Sequence, residues 1–299
     1  MVNVGVVISN PLAADMGLPD VGRLARLAES VGLDGLWAED GLFHEGATGL
    51  DLPCVLAAAA GATERIEVGS AIFVPSLRNL VWALKQVATL QLVAAGRLRL
   101  GVALGAADED EYRLAGQTRS GQRRRTDEFL QILSAARVGD ETPLPAPALL
   151  LGTALPVPPI WVGGTSSAAL RRAARFGDGW LSGLQTPAEF RASAARLRQL
   201  ADEEGRPSPL TGIVLHVAVG ASSSADLAGQ SAAAMQALYG VPAPRAEELA
   251  IGGTPRQVAD RLAPYVAAGA TQFCLVSSVL PWSESWPRLA DVRHALVGG

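Results

Sequence analysis

The residues able to do chemistry in this chain of 299 residues gather at a few points. The sharpest is Ile160-Trp161-Val162-Gly163-Gly164-Thr165-Ser166-Ser167-Ala168-Ala169-Leu170. An apolar run enters a glycine pair, then hydroxyl residues, then a helical pattern. Glycine lets the backbone approach a ligand closely. The amides that follow open a helix, whose dipole favours an anion, and the Thr165 and Ser166 hydroxyls can donate as well. Such a segment cradles a phosphate without the lysine of a Walker loop; read locally, it is equally a tight strand-to-helix turn with a serine N-cap. A second concentration is Glu39-Asp40-Gly41-Leu42-Phe43-His44-Glu45. His44 there is either a proton carrier, since imidazole titrates near neutrality, or a solvated loop histidine. The carboxylates of Asp108-Glu109-Asp110-Glu111 read as a solvated rim more than as an acid–base pair. Arg119, Arg123, Arg124 and Arg125 read mainly as a salt-bridged helix start beside Asp127 and Glu128, with contact to a cofactor anion as the other reading. His216 points either into a barrel or out to a polar partner, and Trp161 and Trp180 read as core.

The elements that must position these residues alternate along the chain. Short apolar runs at 4–9, 35–39, 66–74, 97–103, 160–163, 179–182, 212–220 and 272–276 read as strands. Helical patterns lie between them, at 21–31, 52–63, 80–94, 123–137, 166–176, 187–205, 225–238 and 255–268, with a last one at 284–296. Thr186-Pro187-Ala188-Glu189 and Thr254-Pro255-Arg256-Gln257 are capping boxes with proline at the first helical position. A strand–helix alternation closes into a barrel or spreads into an open doubly wound sheet. Eight strands in a chain of this length favour a (β/α)8 TIM barrel, one domain over residues 1–299, with the Pro-rich stretch 143–159 as an insertion on one rim. Function in such a barrel sits in the loops that follow the strands.

Composition narrows the classes. Apolar residues make up 49% and charged residues 18%, which is globular. The net charge of −4 argues against general nucleic-acid binding. No apolar run reaches the roughly 18 residues of a membrane span, and the first residues carry no basic leader, so a cytoplasmic protein without a membrane partner is expected. Cys54 and Cys274 have neither CxxC spacing nor a nearby histidine, so they read as small buried hydrophobes and no metal site is expected. Lys85 is the only lysine among 25 basic residues, a usage that suggests a GC-rich genome.

A series of segments, in order and spacing, resembles the bacterial luciferase-like monooxygenase family over nearly the full length. They are Leu27-Ala28-Glu29-Ser30-Val31-Gly32-Leu33-Asp34-Gly35-Leu36-Trp37, Arg65-Ile66-Glu67-Val68-Gly69 followed by Val74-Pro75, Lys85-Gln86-Val87-Ala88-Thr89-Leu90, Gly96-Arg97-Leu98-Arg99-Leu100-Gly101-Val102, Gly177-Asp178-Gly179-Trp180, and Gly253-Thr254-Pro255. The resemblance implies a TIM barrel using reduced FMN or the deazaflavin coenzyme F420, with the cofactor phosphate at Gly163, Gly164, Thr165 and Ser166. It implies a non-prolyl cis peptide at Ala71-Ile72, against which the flavin ring packs; the other reading of these residues is a simple buried strand. It implies a carboxylate at Asp40 followed by a histidine, where this chain has Gly41. Asp40 and His44 are therefore the candidates for proton transfer. Ala106 stands where some deazaflavin members carry a catalytic acid.

The expected function is F420-dependent hydride transfer to or from a small organic substrate. F420 is favoured because its carboxylate tail suits Arg78 and the Arg119–Arg125 cluster, and because many GC-rich bacteria make it. The alternatives are an FMN-dependent monooxygenase and, given Gly41 and Ala106, a cofactor-binding homologue that has lost catalysis. The resemblance also implies a homodimer, to which the apolar helices at 52–63 and 80–94 can contribute.

Overall fold

Strand β1 (Asn3–Ile8) shows how the sequence sorts its side chains. Successive strand residues face opposite sides. Val4, Val6 and Ile8 join one cluster with the surrounding helices, and Val7 joins another with Trp37, Ala71, Trp161, Leu181, Cys274 and Val276. Those partners come from strands all around the sheet, so the second cluster is the interior of a closed barrel. Trp37 and Trp161 meet edge to face there, their ring centroids 6.4 Å apart.

The computed structural model describes residues 2–9, 20–44, 47–105, 109–138, 156–220, 225–277 and 281–298. After β1 come helix α1 (Val21–Ser30), β2 (Gly35–Ala38), the two-residue strands β3 (Phe43–His44) and β4 (Ala47–Thr48), and α2 (Leu52–Ala62). Then follow β5 (Glu67–Ser70), α3 (Leu80–Val93), β6 (Leu98–Val102), α4 (Glu109–Leu114) and α5 (Gln122–Val138). The next elements are β7 (Ile160–Gly163), α6 (Ser167–Phe176), β8 (Gly179–Gly183) and α7 (Pro187–Glu203). The last are β9 (Leu210–Val219), α8 (Ala225–Tyr239), α9 (Ala243–Leu249), β10 (Ile251–Gly253), α10 (Pro255–Ala267), β11 (Gln272–Ser277) and α11 (Trp282–Val297).

Eight of these strands pair in parallel around a closed ring: β1, β2, β5, β6, β7, β8, β9 and β11, with β11 returning to β1. The expected (β/α)8 TIM barrel is the observed architecture. β9 is long enough to pair with β8 through Leu210–Val214 and with the short β10 through Val217–Val219.

Local chemistry starts the helices where the sequence says it should. Asp20 accepts from the Arg23 amide at 2.9 Å, and Asp51 accepts from the Cys54 amide at 3.1 Å. Both expected capping boxes form, at Thr186 with Glu189 and at Thr254 with Gln257.

The differences lie where elements are short. The strand expected over 66–74 stops at Ser70; the Ala71-Ile72 peptide is cis, Phe73 makes one further parallel bridge to Val102, and a 3-10 turn follows at Pro75–Leu77. The β3–β4 hairpin, α4, α9 and β10 span too few residues to show a period. Cys54 is exposed, contrary to the reading of both cysteines as buried, because the first turn of α2 faces it to solvent. Of the Pro-rich stretch 143–159, expected as a rim insertion, residues 143–155 lie outside the described residues. Among the described residues, no helix is long and apolar enough to cross a membrane.

Candidate active site

All barrel strands run the same way, so the residues that follow them collect at one rim. A cavity of about 200 Å³ opens there. One wall is Ala71 and Ile72 beyond β5; the floor is Gly163, Gly164 and Leu181 to Leu184 from β7 and β8; Val214 and His216 of β9 stand across the barrel from β5, and Tyr239 with Glu39, which follows the neighbouring β2, completes the lining.

The Ala71–Ile72 wall is held from both sides. The Ala71 amide donates to the Ala38 carbonyl and the Phe73 amide to the Gly101 carbonyl, each at 2.8 Å. Gly163 lets β7 approach this wall: a Cβ at that position would stand 3.0 Å from Ile72 Cγ2. Gly164 has φ +113°, a conformation L-residues rarely adopt. It is pinned by the neighbouring strand: its amide donates to the Leu181 carbonyl at 3.2 Å and its carbonyl accepts from Trp180 Nε1 at 2.7 Å. Trp180 is thus more than core, and supports the floor of the cavity through its indole N–H. Thr165 and Ser166 stand exposed where α6 begins, beyond the residues that line the cavity. The Ser166 hydroxyl caps the helix by accepting from the Ala169 amide at 3.2 Å.

The rest of the lining brings together three groups far apart in sequence. Strand alternation turns Val214 and His216 of β9 inward, while Leu215 and Val217 face the helices. The Tyr239 ring, at the end of α8, packs edge to face on the His216 ring with centroids 5.0 Å apart. Its hydroxyl donates to Glu39 Oε1 at 2.8 Å. Burial lowers the His216 pKa to about 4, so the imidazole is neutral at pH 7. Burial and the adjacent Glu39 carboxylate push the Tyr239 phenol well above its ordinary value.

Asp40 lies behind the cavity and is absent from its lining. Arg78 donates to both its oxygens, at 2.6 and 2.7 Å, and the Val74 amide donates to one of them at 2.8 Å. Burial raises the Asp40 pKa against the pull of this guanidinium and amide. The pair ties the chain beyond Ile72 to the end of β2. Of His44, only the backbone falls among the described residues, in β3 paired with Ala47. Glu109 and Asp110 are exposed as expected, whereas Glu111 is buried and accepts from the Leu42 amide at 2.8 Å. Arg125 donates to the Ser76 and Thr118 carbonyls, while Arg119 and Arg123 line an open groove with Glu109.

The cavity has the apolar face and the room that a flat cofactor needs. Ser182 Oγ is enclosed on the helix side of β8, opposite Leu181, which faces the barrel interior, so the hydroxyl does not open into the cavity. A Cβ placed on Gly183 would meet no atom within 4 Å, so the floor has room over it.

An eight-stranded parallel barrel with its cavity at the C-terminal rim defines a TIM-barrel protein with a ligand site at the customary end. Within that class the chain belongs to the luciferase-like monooxygenase family, whose pattern it matches over residues 2–242. An uncharacterised protein of Mycobacterium tuberculosis is 34% identical over 163 residues, covering 52% of this chain and 56% of that one. The chain thus spans about half the length of the curated relatives it matches. An F420-dependent glucose-6-phosphate dehydrogenase of Amycolatopsis mediterranei is 33% identical over 111 residues, 36% of this chain and 32% of that one. Among solved structures, an F420-dependent secondary alcohol dehydrogenase bound to an F420-acetone adduct superposes with a TM-score of 0.83 at 18% identity, covering 99% of both chains. The FMN-bound oxygenating constituent of the Pseudomonas putida 3,6-diketocamphane monooxygenase superposes at 0.72, with 14% identity over 97% of this chain and 96% of that one. The same barrel therefore accompanies both cofactors.

Proposed function

We propose that this protein is an oxidoreductase that binds coenzyme F420 and moves a hydride to or from a small organic substrate. The observation that carries the reading is the one cavity in which Ala71, Ile72, Gly163 and Gly164 converge, with open space at Gly183. The cofactor ring is assigned to the face formed by Ala71 and Ile72. Its phosphate is assigned to the turn that Gly163 and Gly164 open, at Thr165 and Ser166 on the exposed start of α6, the Gly164 amide itself being engaged by the Leu181 carbonyl. When bound, a deazaflavin supplies two-electron hydride chemistry, and the protein supplies orientation, electrostatics and exclusion of water.

F420 is preferred over FMN for its anionic tail. Arg119 and Arg123 line a groove at the start of α5 and are assigned to that tail. Arg78, a sequence candidate for the same role, is committed to Asp40 and stacks on the Phe73 ring at 4.7 Å. The F420-dependent relatives named above favour the same choice. Asp40 is assigned to hold the Val74 segment behind Ile72, and His44 remains assigned to the entrance as a proton-transfer group.

A second copy of the chain is proposed as a partner. α3 leaves Val81, Trp82, Leu92 and Val93 exposed, with Trp82 exposed over 68% of its surface. Burial of large apolar residues of this kind drives stable association.

Absorbance titration of the purified protein with F420 and with FMN tests the reading. Saturable F420 binding supports it. Micromolar FMN binding without detectable F420 binding transfers the site to the monooxygenase alternative, and binding of neither abandons it.

A further inference from the structure

The part of the lining formed by Glu39, His216 and Tyr239 carries more chemistry than cofactor binding requires. Glu39 comes from the end of β2, His216 from β9 and Tyr239 from the end of α8. The fold brings them to one side of the cavity across 200 residues of sequence between Glu39 and Tyr239. The direction of the Tyr239 bond matters. Its hydroxyl gives its hydrogen to Glu39 Oε1 at 2.8 Å, which leaves the phenol oxygen able to accept.

We propose that Tyr239 and Glu39 form a proton relay for a substrate hydroxyl, with His216 as the residue that positions the Tyr239 ring. This rests on the hydride-transfer reading of the cavity. In the oxidising direction the substrate O–H donates to Tyr239 Oη. The C–H electron pair leaves the substrate carbon as hydride for the deazaflavin cofactor. The hydroxyl proton passes to Tyr239 Oη as the tyrosine's own proton passes to Glu39, and the C–O bond becomes a carbonyl. Reduction runs through the same atoms in reverse. Tyr239 holds its proton across the neutral range, so it hands one on only as it takes another.

The chemistry also narrows the substrate. The groove walls at Ile72, Leu181, Leu184 and Val214 are apolar, and a carboxylate stands at the reacting end. A small neutral alcohol or ketone fits this lining; a phosphorylated or carboxylate substrate would bring like charge against Glu39. His216 suits the same choice, because a neutral imidazole packs on the phenol without adding charge.

The test separates this proposal from the cofactor reading. The chain has three tyrosines, so protein labelled with 3-fluorotyrosine gives three fluorine signals, and Tyr239→Phe identifies the one that matters. The labelled protein, shown by absorbance to bind F420, is titrated with 2-butanol and with its isomer 2-methoxypropane, which has no hydroxyl to donate. The relay requires the Tyr239 signal to respond to 2-butanol with roughly five-fold tighter apparent binding than the ether, the scale of one added hydrogen bond. Glu39→Gln should reduce that preference in protein that still binds F420. Equal responses to the two isomers, or none, in a protein that binds F420 overturn the relay alone. Failure to bind either flavin-type cofactor overturns the proposed function instead.

Discussion

His216 makes the protein's stability depend on pH in a way that a single substitution isolates. The unfolded chain presents an ordinary imidazole with a pKa near 6.5, and the folded chain holds it at about 4 by burying it. Between those values the unfolded state binds a proton that the folded state refuses. Stability contributed by the neutral ring is fully present above pH 6.5 and falls as the pH drops towards 4. A separation of that size, at about 1.4 kcal/mol per pH unit, removes about 3 kcal/mol by pH 4. Domains commonly have only about 5–15 kcal/mol in total, so the loss is easily read. Urea unfolding of the parent and of His216→Gln, at intervals from pH 7.5 to 4, measures it. The parent should lose about 3 kcal/mol more than the variant over that range. Glu29 and Glu189 also sit below their ordinary values and add acid lability, but they are present in both proteins and cancel. Nitrogen-15 spectra give the pKa directly, since the chain has three histidines. Parallel stability curves, or a His216 titration midpoint near 6.5, would show that the ring is solvated and that the cavity wall is wrongly drawn.

Other substitutions probe the remaining parts. Gly183→Val should weaken cofactor binding about ten-fold or more by filling open space over the floor, with stability changed by less than about 1 kcal/mol; calorimetric titration and urea unfolding check both halves. Arg78→Ala leaves the buried Asp40 carboxylate without its partner and should cost about 3–5 kcal/mol in urea unfolding, partly restored by adding Asp40→Asn. Trp180→Phe removes the donor to the Gly164 carbonyl, and should lower cofactor affinity while costing about 1 kcal/mol in stability. Trp82→Glu should convert a dimer into a species of one chain mass, 30.9 kDa, by sedimentation; an unchanged mass for both proteins counts against the α3 interface.

What could be read in advance divides along physical lines. The barrel was legible because its strands and helices are long enough to show their periods, and because caps such as Thr186 and Thr254 act within a single turn. The glycine pair was legible for the same reason: the requirement for close backbone approach at Gly163 is written in adjacent residues. The group of Glu39, His216 and Tyr239 was not. Glu39 and Tyr239 meet only because α8 returns to the rim, and no spacing rule relates residues so far apart. His216 was left open between inside and outside, since a buried strand with apolar residues on both faces carries no alternation to orient it. Trp180 looked like core because its size dominates its signal, while its use here turns on one N–H. Asp40 drew attention as an acid, and the structure uses both its oxygens on Arg78, a partner 38 residues away.

The central claim is that the rim cavity holds an F420-type cofactor, with the tail on the arginine groove. The most direct measurement is the paired affinity of the protein for F420 and for FMN at low and at high salt. F420 should bind tighter than FMN and weaken more with salt, because its tail carboxylates face Arg119 and Arg123 across solvent, where salt screens charge. F420 binding that is weaker than FMN binding, or indifferent to salt and to Arg119→Ala with Arg123→Ala, would contradict it.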